Sequence, residues 1–108
     1  MSNFLKDIEE ELATCNDENV EAVVVGRYES WYQGDNKNFP DNLSERPVSW
    51  DEVREYFNYE YDDGFGGAEC HPLYIYTNSY IIYVSEYDGS TEVRKIPRHP
   101  IECSPNYL

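Results

Sequence analysis

Cys70, His71, His99 and Cys103 carry the side chains that most often bind a metal or act as nucleophiles. Thiolate and imidazole donors of this kind can hold a tetrahedral zinc ion. Their spacing argues against it here. Cys70 and His71 are adjacent and tend to point apart, a proline lies between His99 and Cys103, and there is no C-x-x-C pair. The four are expected to be two buried thiols, Cys70 and Cys103, and two surface imidazoles. Cys70 with His99 is also conceivable as a nucleophile and its base, yet no oxyanion hole or orienting group is legible beside them.

Gly64-Phe65-Gly66-Gly67 resembles a phosphate-binding loop only superficially. A P-loop needs a lysine and Ser/Thr opening a helix, and a dinucleotide loop needs a strand before it and a helix after. Neither follows here, and the flanking acids repel phosphate. Glu60, Asp62 and Asp63 could supply oxygen to calcium, but they do not keep the EF-hand spacing. Paired carboxylates for glycoside chemistry are uninformative in a chain with 22 acidic residues. No cofactor is expected, and the chain is read as non-enzymatic.

What remains is an interleaving of acids and rings. Between Asp51 and Glu69 there are seven acids and one base, Arg54, set among Tyr56, Tyr59, Tyr61 and Phe65. Tyrosine is enriched in interface hot spots, and carboxylates along a ridge can stand in for phosphates. Proteins that bind nucleic acid gain much of their affinity from Lys/Arg–phosphate contacts, and some stack bases on aromatic rings. Asp51, Glu52, Glu55, Glu60, Asp62 and Asp63 would supply the charge for such mimicry, with Tyr56, Tyr59 and Tyr61 as anchors. The simpler alternative is a solvated acidic turn, with tyrosines lining a half-wet sheet face.

Composition bounds the class of partner. The chain has 108 residues, enough for one domain, and 22 acids against 8 bases give a formal charge of −14. Such a surface repels nucleic acid and anionic membranes and attracts basic proteins. High charge with low hydropathy often means disorder. Eleven tyrosines, four phenylalanines and two tryptophans argue for a folded chain instead. No apolar run is long enough for a membrane span or a signal-peptide core. The amphipathic, acidic start is wrong for organelle targeting, so a cytoplasmic protein is expected. Three cysteines at no framework spacing fit reduced thiols.

In overall character the chain resembles the small acidic DNA-mimic inhibitors carried by phages: anti-CRISPR, anti-restriction and uracil-DNA glycosylase inhibitor proteins. It is also similar to bacterial immunity proteins that neutralise nuclease toxins. The likeness is one of class, and no position takes a role from it. For a phage-encoded protein, the compartment would be the host cytoplasm.

The elements that must position these residues follow from periodicity. Leu5, Ile8, Leu12 and Cys15 recur at three- and four-residue steps, which predicts a helix over about 3–15 with acids facing out. The run VEAVVVGRYESW predicts a strand over 20–31, with Gly26 at a bulge or close backbone approach. Residues 32–47 are read as a loop with Phe39 tucked down. Ser49 and Glu52 form a capping box, with Val48 and Val53 as the flanking hydrophobic staple. Together they predict a helix over about 50–58 that packs Trp50, Val53 and Phe57.

From Leu73 to Ile96 the chain reads as three strands. Asp88-Gly89 suits a type I′ turn, and Asn78-Ser79 is a weaker turn of equal length. Two-residue loops set the register: Tyr87 faces Ser90, Tyr83 faces Arg94, Ile81 faces Ile96, Ile75 faces Ile82 and Tyr74 faces Tyr83. Leu73, Ile75, Ile82, Val84 and Val93 then share an aliphatic face. Tyr74, Tyr76, Tyr83 and Tyr87 share the other with Glu92 and Arg94.

The expectation is one α+β domain over 1–108. It has two helices and an antiparallel sheet of about four strands, with strand 20–31 at one edge of the 73–96 meander. The expected function is that of an inhibitor or interaction protein for a basic nuclease or other nucleic-acid-handling protein, with no direct nucleic-acid or membrane contact. The alternatives are a small-ligand- or metal-binding domain or enzyme using the 64–71 loop, and an acidic homodimeric module.

Overall fold

The computed structural model describes residues 2–16, 19–28, 38–64 and 67–105. Its elements, in chain order, are β1 (Ser2–Asn3), α1 (Phe4–Ala13), β2 (Val20–Val25), α2 (Trp50–Val53), β3 (Glu60–Tyr61), β4 (Leu73–Thr77), β5 (Tyr80–Tyr87) and β6 (Ser90–Pro97). Short 3₁₀ turns lie at Asp41–Leu43 and Arg54–Phe57. The architecture is α+β. One antiparallel sheet runs β2-β4-β5-β6, and β1 and β3 form a separate two-stranded ladder.

The meander takes the register set by its turns. Asp88 and Gly89 both have positive φ, 50° and 80°, which lets two residues reverse the chain with the twist of the strands. Tyr87 pairs with Ser90, Tyr83 with Arg94 and Ile81 with Ile96. Ile75 and Tyr74 pair with Ile82 and Tyr83. At the Asn78-Ser79 turn the Thr77 hydroxyl accepts the Tyr80 N–H at 3.0 Å, so a side chain supports this turn where no left-handed residue does.

β2 joins at the β4 edge, with Val23 opposite Ile75 and Val25 opposite Leu73. It stops at Val25, short of the expected Trp31, for a local reason. Gly26 donates to the Pro72 carbonyl at 2.7 Å, but proline has no N–H to continue the ladder. The close approach expected of Gly26 is here, since a Cβ would stand 2.8 Å from Pro72 Cγ. Residues 29–37, including much of the expected strand end and loop, lie outside the described residues. On its far side β2 exchanges hydrogen bonds with Val48 (2.8 and 2.9 Å), which covers that edge.

The helix expected over 50–58 is only partly α-helical. Ser49 caps it as predicted, its Oγ accepting the Glu52 N–H at 3.2 Å, and Val48 and Val53 are both buried. Past Val53 the chain tightens to a 3₁₀ turn. Tyr56, Phe57 and Tyr59 are weak helix formers, and the tighter winding sets Phe57 in the core, stacked on Trp50 and Phe39. Phe39 is tucked down as expected.

α1 buries the expected Leu5 and Ile8, Cys15 follows just past its end, and Leu12 is partly buried. Phe4 completes the set and touches Phe57, Tyr59 and Tyr61 at centroid distances of 5.6, 5.5 and 5.5 Å. These residues cover the aliphatic face of the sheet, including Val23, Val25, Leu73, Ile75 and Ile82. The tyrosine face is partly open: Tyr74 is 55% exposed and Tyr87 76%, while Tyr76 and Tyr83 are half-buried. No helix among the described residues is long and apolar enough to cross a membrane.

Candidate functional site

The 51–63 segment does not present its rings and acids together. Asp51, Glu52, Glu55 and Glu60 are exposed, and Asp62 and Asp63 are half-buried. Tyr56 is exposed, with its ring against Phe39. Tyr59 packs on Phe4 and shares a 2.9 Å hydrogen bond with His71 Nδ1. Tyr61 is only 1% exposed. Tyr61 is therefore part of the core, and Tyr59 packs against it partly buried. The reason is alternation in β3: pairing of Ser2 with Tyr61 and Asn3 with Glu60 turns Glu60 out and Tyr61 in under α1.

Several acids of the segment are already committed. Glu55 and Glu9 both pair with Arg54, at 2.9 and 3.2 Å. Glu52 accepts the Ser49 hydroxyl proton at 3.1 Å, and Asp62 accepts the Gly64 N–H at 3.0 Å in a local turn. Asp63 points elsewhere. Its carboxylate accepts from Ser2 Oγ at 2.6 Å, and its carbonyl accepts the Thr91 N–H at 2.7 Å.

That turn brings Asp63 to a cleft of about 400 Å³ between α1 and the edge of β6. Asp7, Glu10 and Glu11 line one wall, Thr91, Glu92 and Val93 the other, and Tyr61, Asp63 and Thr14 complete it. Among the described residues, no lysine or arginine lines it. Elsewhere, Arg27 holds Asp41 and Glu45 at 2.7 Å each, and Arg98 bonds to Glu21. Of the cleft acids, Glu92 alone has a cationic neighbour among the described residues, Arg94 at 3.7 Å. Lys95 spans the end of the cleft wall, donating to the Thr14 carbonyl at 2.9 Å.

Asp7, Glu10 and Glu11 were outside the set singled out from the sequence, although a signal was present. They stand at i, i+3 and i+4 on one helix face, where like charges destabilise by a few tenths of a kcal/mol each. Asp7 lies in the first turn of α1, where an acid is favourable, but Glu10 and Glu11 lie beyond it and gain nothing comparable from the helix dipole.

Two polar groups sit at the base of this cleft. Tyr61 donates to Asp7 Oδ2 at 2.5 Å. Burial, reinforced by the negative charge of Asp7, pushes the Tyr61 phenol well above its ordinary value of 10.0. The folded chain thus keeps a proton that the unfolded chain releases above that pH. Stability is expected to hold up to about pH 10 and to fall as pH rises further. Urea midpoints measured across that range should show the fall in the native protein, with a shallower fall in Tyr61→Phe.

Thr91 is the second group. It is 4% exposed, and its buried hydroxyl has no hydrogen-bond partner. An unmade bond of this kind costs about 1–3 kcal/mol. Thr91→Val keeps the shape and removes the polar atom. It is expected to stabilise the fold by about 1 kcal/mol, read as a raised urea midpoint.

The other candidates separate. Cys70 and His71 are buried while Cys103 and His99 are exposed, so the expected division into two buried thiols and two surface imidazoles is corrected. His71 keeps the inward parity of Leu73, two residues on, and rests on Phe39 and Phe57. No three His, Cys, Asp or Glu residues converge in metal-binding geometry among the described residues. Phe65 and Gly66 of the glycine-rich loop lie outside those residues. In comparisons with known proteins, the chain matches no family model, no curated sequence and no solved structure.

Proposed function

We propose that this protein is a non-enzymatic inhibitor or interaction module that docks its acidic surface on a basic, nucleic-acid-handling protein in place of a polyanion. The observation that carries this reading is the cleft, where Asp7, Glu10, Glu11 and Asp63 gather with no lysine or arginine among the described residues of the lining. A net charge of −14 makes the whole molecule attractive to a basic surface. The cleft gives that attraction a focus, because low-dielectric walls concentrate the field of converging charges. Asp51 and Glu60, exposed and without a cationic partner among the described residues, extend the negative surface.

On this reading the partner is a nuclease or another DNA- or RNA-binding protein, as in anti-CRISPR, anti-restriction or nuclease-inhibitor systems. Such a role places the protein in the cytoplasm, a host cytoplasm if it is phage-encoded. The partly open tyrosine face offers self-association as a rival, but two copies bearing −14 each repel on approach. The experiment is capture of a basic partner at low and at high salt. Association that weakens steeply with salt supports the reading, and association indifferent to salt removes it.

A further inference from the structure

The edge of β6 beside the cleft carries outward backbone groups in a register set by the β5–β6 turn. Tyr87 and Ser90 flank a two-residue turn, so they exchange hydrogen bonds with each other, and every second residue of β6 does the same with β5. Glu92, Arg94 and Ile96 belong to that inward set. Thr91, Val93 and Lys95 therefore direct N–H and C=O away from the sheet. The Thr91 N–H bears this out, since it donates to Asp63 and not to β5. Among the described residues, the sheet order leaves β6 without a strand on this side. Pro97 ends the available edge, having no N–H. Val93 and Lys95 are what remains open.

Side chains of paired residues in neighbouring strands share a face. Thr91 and Val93 face the α1 side, where they line the acidic cleft. A residue added opposite Val93 would extend its own side chain into the same cleft, between the Asp7–Glu10–Glu11 wall and Asp63. Thr91 lies at the base with its hydroxyl enclosed and unpartnered. The cleft carboxylates accept from an ammonium or guanidinium, which has only donors to give.

We infer that the β6 edge and the cleft together receive an extended basic segment of the partner protein, which adds as a fifth strand opposite Val93 and Lys95. It lowers a lysine or arginine side chain between α1 and Thr91. This deepens the function proposed above and rests on it. Backbone pairing supplies the register and the cleft supplies the selection for charge, the usual division of labour in strand addition.

The probe is the peptide acetyl-Thr-Lys-Thr-Lys-Thr-Lys-Thr-amide, titrated into the ¹⁵N-labelled full chain and followed by NMR. Saturable shifts should centre on the Val93 and Lys95 amides. Glu10→Gln/Glu11→Gln is expected to weaken binding about tenfold, and Asp51→Asn/Glu60→Gln, with the same change of charge, less than about twofold. Equal losses in the two double variants, shifts spread evenly over the surface, or no peptide binding would each overturn the inference. So would spermidine binding as tightly as the peptide, which would make the cleft a polyamine site. The cleft variant is also carried through the partner capture. Capture retained by Glu10→Gln/Glu11→Gln overturns the cleft alone, whereas capture absent from the native protein removes the association itself.

Discussion

Phe4→Ala is expected to lower the free energy of unfolding by about 3–5 kcal/mol, the range for removing a fully buried ring. Phe4 is the first residue of α1 and has no exposed surface. Its ring meets Phe57, Tyr59 and Tyr61, and its N–H donates to the Tyr59 carbonyl at 2.9 Å. Truncation leaves a cavity where the start of the chain, the 3₁₀ turn and β3 meet. The surrounding rings cannot close over it, because each is held by another contact: Tyr61 by Asp7, Tyr59 by His71 and Phe57 by Trp50. A domain of this size is stable by about 5–15 kcal/mol, so the loss is a large share. Urea unfolding reads it directly. Phe4→Leu keeps most of the volume and should cost less than about 1.5 kcal/mol.

Glu10→Lys/Glu11→Lys is expected to weaken association with a basic partner about a hundredfold at low salt, and much less at high salt. The double reversal moves the net charge from −14 to −10 and puts cations where the partner's cations approach. The fold should not suffer. The new bases would stand three and four residues after Asp7, the favourable order on a helix, so two repulsions become attractions worth a few tenths of a kcal/mol each, against one new repulsion between Lys6 and position 10. A thermal midpoint that holds or rises, with binding lost, separates the surface role from a structural one. The same reversal at Asp51 and Glu60, which lie outside the cleft lining, should weaken binding far less.

The sheet was legible because its determinants are local. Asp88-Gly89 leaves one compatible register, and the alternation from Leu73 to Ile96 then assigns each side chain to a face. The stripe of α1 and the Ser49 cap were legible for the same reason. The β1–β3 ladder was not. Two residues of strand carry no period, and what fixes Ser2 opposite Tyr61 is the burial of Phe4 and Tyr61 from opposite ends of the segment. That ladder also decided the fate of the candidate site. By turning Tyr61 inward it withdrew an expected anchor, and it carried Asp63 to Ser2 and β6. The cleft joins Asp7, Asp63 and Glu92, which are far apart in the sequence, so no window of residues displays it. Only the like charges at Asp7, Glu10 and Glu11 hinted that one helix face carried more negative charge than a helix needs.

The most direct measurement is competition. The partner isolated by low-salt capture is loaded with duplex DNA or RNA, and this protein is titrated in. If its carboxylates replace phosphates, the nucleic acid is displaced stoichiometrically, and the affinity falls along a straight line in log salt. A ternary complex, with the nucleic acid still bound at saturation, would contradict that account.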